Sequence, residues 1–162
     1  MVWNLEGAYK IRWTDVTEFL QKFDLVVLIE SWLGKNDVVP ELNELVYKYK
    51  IDATKIKGIK KGRKSGGILL YCKPYLSNRV IKLEMSTNNV LWIKLDKAYF
   101  GFVYNPPDSS AYKCEDFFDE LQDTIVELEK RGGDGGVVHC IGDFNARTGC
   151  LLYTSPSPRD RG

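Results

Sequence analysis

The sequence predicts an α/β fold whose sheets are covered by helices on their outer faces. Two observations carry that reading. Short aliphatic and β-branched runs at 23–29, 66–72 and 137–141 have the length and composition of buried strands. Residues 115–130 (EDFFDELQDTIVELEK) carry the period of an amphipathic helix and fall between strands.

Met1–Trp3 is a short apolar start that runs into Asn4-Leu5-Glu6-Gly7. Residues 12–22 place Trp13, Val16, Phe19 and Leu20 on one helical face, with Thr14 or Asp15 as the expected cap. Residues 23–29 form a strand buried on both faces, ending at Glu30-Ser31-Trp32. Residues 39–49 read as a loop or a short helix. Residues 66–72 form the next strand, which Pro74 ends. Val80–Leu83, Val90–Leu95 and Tyr99–Tyr104 read as three more. In 115–130, Phe117, Phe118, Leu121, Ile125 and Leu128 line one face, acids sit early, and Lys130-Arg131-Gly132 closes the helix. Strand 137–141 follows.

A length of 162 residues is that of one domain, and 44% hydrophobic content fills a core. Lys plus Arg is 23 against 22 Asp plus Glu, so the net charge of +1 excludes a global nucleic-acid signature. No apolar run reaches membrane-spanning length, and no signal-peptide pattern opens the chain. Cys72, Cys114, Cys140 and Cys150 are scattered without CxxC spacing. That argues against a zinc site or a disulfide framework and fits a reducing, intracellular compartment.

The chemistry concentrates in Val137-Val138-His139-Cys140-Ile141-Gly142-Asp143-Phe144-Asn145. An apolar strand ends in Gly-Asp-Phe-Asn, and period-2 alternation sends Asp143 and Asn145 to one side. There a carboxylate can act on a water or a metal, and an amide can donate to a phosphate oxygen. Gly142 leaves room for a ligand at the backbone. Asp and Asn after a strand are also common turn residues that bond their own backbone, so both readings stand for this motif alone. Three further strand ends carry polar groups: Asn4 with Glu6, Glu30, and Tyr104 with Asn105. Open α/β sheets bind ligands at such edges. Glu30, with Glu6 as helper, suits Mg²⁺, which takes one or two carboxylates and keeps its waters.

From Cys150 onward the chain has no periodicity and two prolines, and it resembles the codon-for-codon translation of a transposase sequencing adapter. A natural Ser/Pro linker is the alternative. The expectation is a domain at 1–149, a non-native or disordered tail at 150–162, and a reading frame that continued beyond Gly149.

Seven segments, in order and spacing, then resemble the endonuclease/exonuclease/phosphatase superfamily: WNLEG (3–7), FDLVVLIESWL (23–33), SGGILLY (65–71), LWIKL (91–95), FVYNPPDSSAY (102–112), FFDEL (117–121) and VHCIGDFNARTG (138–149). The likeness is greatest to the endonuclease domain of non-LTR retrotransposons. It implies a four-layer α/β sandwich, two packed mixed sheets flanked by helices, incomplete at the C-terminus. It implies Mg²⁺- or Mn²⁺-dependent hydrolysis of DNA phosphodiesters, on chromosomal DNA in the nucleus, by a domain that can be fused to a reverse transcriptase. By position, Glu30 is implied as the principal metal ligand and Asn4 as a contact near the scissile phosphate or an orienter of that ligand. Tyr104 brings its hydroxyl near the phosphate, Asp143 orients or deprotonates the attacking water, and Asn145 binds a phosphate oxygen. Glu6 sits where some relatives have a second acidic ligand and others an amide.

The chain also departs from the pattern. The family's late Asp-His pair and a downstream Asp have no counterpart here, and the N-terminal strand is short. The sole histidine, His139, lies inside a strand and reads as a packed residue. The chain as it stands is therefore expected to be catalytically inactive. The alternatives are a phosphatase or phospholipid hydrolase on the same scaffold, or a non-catalytic fragment with weak DNA binding.

Weaker signals complete the reading. Residues 55–64 (KIKGIKKGRK) hold six basic side chains. Lys60, Lys61, Arg63 and Lys64, with Arg147, are candidate phosphate contacts against the alternative of a solvated loop. The tryptophans at 3, 13, 32 and 92 and Cys140 read as core, and Asn105-Pro106-Pro107-Asp108 as a rigid turn.

Overall fold

The computed structural model describes residues 1–55, 62–132 and 136–146. The expected tail lies outside them. Eight strands are described: β1 Val2–Asn4, β2 Leu25–Ile29, β3 Val46–Ile51, β4 Ile68–Cys72, β5 Val80–Lys82, β6 Val90–Leu95, β7 Ala98–Tyr104 and β8 Val137–Asp143. Two α-helices accompany them, α1 Trp13–Leu20 and α2 Phe117–Gly132. The strands form two mixed four-stranded sheets, ordered β1-β2-β4-β3 and β5-β6-β7-β8.

Burial of alternate side chains builds four layers. Between the sheets, Val27, Ile29, Ile68 and Leu70 meet Leu91, Ile93 and Phe102. On the outer face of the first sheet, Val26, Leu28, Leu69 and Tyr71 pack against Leu20 of α1 and Leu42 and Leu45 of the following loop. On the outer face of the second sheet, Trp92 and Val103 pack against Phe117, Leu121 and Leu128 of α2. β2 and β4 lie at the centre of their sheet and bury both faces, which is why their sequences are unbroken aliphatic runs rather than alternating ones.

Each sheet contains one parallel pair. β1 runs parallel to β2, with Asn4 opposite Ile29, and β7 runs parallel to β8, with Tyr104 opposite Asp143. The sheets stack so that β1 faces β8 and β2 faces β7. The C-terminal ends of four strands therefore meet at one edge of the sandwich.

Four local expectations are corrected. Residues 46–51 are strand β3, not loop or helix; a bulge between Tyr47 and Tyr49 breaks the period-2 signal on this edge strand. α1 has Arg12 at its N-cap and no side-chain cap, because the Thr14 hydroxyl donates to Asp15 instead. Phe19 and Phe118 point to solvent, 49% and 50% exposed, although both fall within their helices' apolar stripes. β8 continues to Asp143, so the carboxylate belongs to the strand itself.

The facing of α2 predicts unequal costs on its own stripe. Leu128→Ala leaves a cavity in a fully buried position and lowers unfolding free energy by roughly 2–5 kcal/mol. Phe118→Ser stays within about 0.5 kcal/mol of the parent. Urea titration of both variants checks the pair; equal losses contradict the packing.

Candidate active site

Two carboxylates stand at the shared strand edge, and each is held by a side chain from the opposite sheet. Glu30 follows β2 and is 8% exposed. Its Oε1 accepts a hydrogen bond from the Tyr104 hydroxyl at the end of β7, 3.0 Å away, and from Trp32 Nε1 at 3.3 Å. Asp143 ends β8, and its Oδ2 accepts a bond of 3.0 Å from Asn4 Nδ2 at the end of β1. The parallel register explains the grouping, since it brings Tyr104 level with Asp143 and Asn4 level with Ile29, one residue before Glu30.

The loop after β8 is stapled to Asn105. The Asn105 amide N–H donates to the Asp143 carbonyl at 2.8 Å, and Asn105 Nδ2 donates to the Phe144 carbonyl at 3.1 Å. Asn145 Nδ2 donates in turn to the Asn105 carbonyl at 2.8 Å, and the Asn145 N–H donates to Asp143 Oδ1 at 3.0 Å. That last bond is the local turn that Asp-x-Asn favours. The turn reading of Gly-Asp-Phe-Asn is thus realised, and the same turn holds the carboxylate that Asn4 meets from the opposite sheet. Asn105, read from sequence as part of a rigid turn, is the staple.

Backbone strain concentrates here. Five described non-glycine residues have positive φ: Glu6 (49°), Glu30 (54°), Trp32 (59°), Asn145 (42°) and Asp96. Asp96 sits in the two-residue turn between β6 and β7. The other four surround the two carboxylates, and strained backbone of this kind clusters where function demands a particular side-chain direction. Gly7, at φ 108°, makes the Trp32 conformation possible; a Cβ there would lie 2.4 Å from the indole.

Burial sets the electrostatics. Desolvation, the adjacent Glu30 charge and the bond to Glu30 push the Tyr104 hydroxyl up to about 12, with the Ser65 hydroxyl pulling weakly the other way. Tyr104 is thus a fixed donor at neutral pH. Both described donors to the Glu30 carboxyl act on Oε1, so Oε2 is the oxygen left for a ligand. No group of three His, Cys, Asp or Glu side chains forms a closed cage among the described residues. A donor set of one open carboxylate oxygen beside amides fits a hard divalent cation that keeps most of its waters, and it does not fit zinc.

The remaining sequence candidates divide. Glu6 is exposed; its backbone N–H donates to Asn4 Oδ1 at 3.0 Å, so the Glu6 turn orients Asn4 while its carboxylate stays in solvent. Arg63 is exposed, with its guanidinium 4.4 Å from the Trp32 ring centre. Lys64 is paired with Asp37, whose carboxyl it holds below the usual range. Lys60, Lys61 and Arg147 lie outside the described residues. His139 is exposed on β8 and stacks on Phe100 at 5.0 Å, so it is a surface-edge residue rather than an interior one. Gly142 is also required by the sheet itself: a Cβ would lie 2.0 Å from the Val103 carbonyl of the neighbouring strand. Trp32, read from sequence as core, is buried but also donates to Glu30. Only the position after Glu30-Ser31 pointed to it.

The model of the Endonuclease/Exonuclease/phosphatase family matches residues 1–162. Among solved structures, the chain is similar to a 3′ phosphatase from Neisseria bound to a product DNA hairpin, with 14% identity and a TM-score of 0.50, over 89% of this chain and 56% of that one. It is similar also to a 3′-5′ exonuclease from Neisseria meningitidis, with 15% identity and a TM-score of 0.50, over 89% and 56% of the two chains. At such identity the likeness speaks for the fold alone. The chain spans a little over half the length of these structures. A search of the curated proteins finds no match.

The setting of Tyr104 predicts its titration. A phenol whose folded pKa is raised from 10 to about 12 adds stability below pH 10 that is lost as pH rises through 12. The ultraviolet difference titration between the parent and Tyr104→Phe should show the missing phenol ionising near pH 12. A missing step near pH 10 contradicts the burial of the phenol beside the Glu30 charge.

Proposed function

The chain belongs to the Endonuclease/Exonuclease/phosphatase family, and we propose that this edge is a metal-dependent phosphodiester-hydrolysing site acting on DNA. The observation that carries the reading is the reciprocal bracing of Glu30 by Tyr104 and of Asp143 by Asn4. It holds two carboxylates apart in role: one with an open oxygen, one tied into an amide network.

Each residue then has a task. Asp143 orients the attacking water and takes its proton on a carboxylate oxygen, whose second lone pair is not used by Asn4 or Asn145. Asn145 keeps one amide N–H beyond its bond to Asn105 and donates it to a non-bridging phosphate oxygen. Tyr104 and Trp32 fix the Glu30 carboxylate, which would hold a Mg²⁺ or Mn²⁺ ion. That ion supplies charge neutralisation at the phosphoryl group when bound. Glu6 fixes Asn4 through its backbone N–H.

DNA as substrate is supported by the exposed Arg63 beside the site and by the likeness in fold to a phosphatase whose structure contains a DNA hairpin. The finer reading, a nicking endonuclease of a non-LTR retrotransposon with a fused reverse transcriptase, is supported by the segments FVYNPPDSSAY (102–112) and VHCIGDFNARTG (138–149). The placement of His139 favours a second reading, phosphodiester binding without appreciable turnover. It lies four residues before Asp143, about 13 Å along the strand, so no imidazole assists the water at Asp143 among the described residues.

Relaxation of supercoiled plasmid by the full chain with Mg²⁺ tests the reading. We expect Mg²⁺-dependent nicking, slow by about a hundredfold to ten-thousandfold for want of a positioned imidazole, and lost a further hundredfold or more in Asp143→Asn and Glu30→Gln. Nicking that survives both substitutions contradicts it. Binding of plasmid with no nicking selects the second reading.

A further inference from the structure

Beside Glu30 the chain presents an aromatic and cationic surface that the hydrolytic chemistry does not use. Tyr9 is 72% exposed, yet the turn that carries it is fixed: the Gly7 and Ala8 N–H groups donate to the Glu30 and Ser31 carbonyls, each at 2.9 Å. The Tyr9 ring lies 5.5 Å from the Trp32 ring, tilted by 43°. The Lys10 ammonium sits 4.5 Å from the centre of the same indole, and the Arg63 guanidinium 4.4 Å. The Arg63 backbone is held by the Tyr112 hydroxyl, which donates to its carbonyl at 2.9 Å.

Two cations gathered on one indole repel each other, and among the described residues neither pairs with a carboxylate. The ring's π-face offsets part of that repulsion. Phosphates beside them offset more. The indole that gathers them also donates to Glu30, so the patch begins one ring's width from the carboxylate. An exposed aromatic face beside two fixed cations matches the alternation of base and phosphate along a nucleic-acid strand, where stacking is tolerant of sequence. A lipid surface would call instead for exposed aliphatic side chains around the cations.

We propose that Tyr9, Lys10 and Arg63 form the docking face for a single-stranded segment next to the scissile phosphate, with Tyr9 stacked on a base and the two cations on flanking phosphates. This rests on the reading of the neighbouring site as a phosphodiester site, and its test separates the two.

Fluorescence anisotropy of a labelled single-stranded DNA oligonucleotide, with the full chain in EDTA, reads the docking without turnover. Tyr9→Leu should weaken binding about tenfold, and Tyr9→Phe should restore it. Arg63→Ala and Lys10→Ala should each reduce the salt slope by about 0.7. On the same oligonucleotide built with abasic residues, the Tyr9→Leu penalty should vanish. Unchanged affinity of Tyr9→Leu, or a penalty that persists on the abasic strand, overturns the proposal. So does loss in Tyr9→Leu of binding to phosphatidylserine vesicles with oligonucleotide affinity intact. Absent plasmid nicking with the anisotropy pattern intact removes the hydrolytic reading and upholds the docking face; nicking with Tyr9→Leu affinity unchanged does the reverse.

Discussion

The site depends on two hydrogen bonds that cross between the sheets. Tyr104 on the second sheet holds Glu30 on the first, and Asn4 on the first holds Asp143 on the second. Neither carboxylate is positioned by its own sheet alone. Correct stacking of the sandwich and correct geometry of the site are therefore one requirement. The core between Val27, Leu70, Leu91 and Phe102 sets the separation, and the polar bonds at its edge set the register. A hydrogen bond to a charged group is worth roughly 1.5–3 kcal/mol, and more when its loss leaves a buried charge unpartnered. Edge and core thus constrain each other.

Strained backbone is the second constraint. Glu30 and Trp32 both adopt left-handed conformations, each at a cost of about 1–2 kcal/mol for a residue with a Cβ. Between them, Ser31 continues the main-chain bonding, its N–H donating to the Gly67 carbonyl at 3.0 Å. The zigzag turns Glu30 toward Tyr104 and folds the Trp32 indole back over Gly7 and onto Glu30. Strain here is the means by which Trp32, two residues along the same chain, reaches back to the Glu30 oxygen that Tyr104 also holds.

Much of this was legible in the chain. β2, β4, β6, β7 and β8 announce themselves as β-branched or aliphatic runs, because strands covered on one or both faces have few polar positions to disguise them. Asn4, Glu30, Tyr104 and Asp143 stand out because each is a polar group at the end of such a run. Other features were hidden for physical reasons. β3 carries alternating Tyr and Lys on an exposed edge, and its bulge shifts the period. The outward turn of Phe118 depends on where α2 meets its sheet, which helical spacing does not specify. Gly142 looks like room for a ligand, and only the β7–β8 register reveals the Val103 carbonyl beneath it. Trp32 reads as core and is buried, but its indole N–H finds Glu30 through a left-handed backbone that no propensity favours.

The most direct measurement is Mn²⁺ binding to the full chain, followed by water-proton relaxation. One site is expected, lost in Glu30→Gln and weakened in both Tyr104→Phe and Trp32→Phe, each of which removes one donor from the carboxylate while leaving its charge. Mn²⁺ binding of parental strength in Glu30→Gln would contradict the assignment of Glu30, and with it the role given to the cross-sheet bonds.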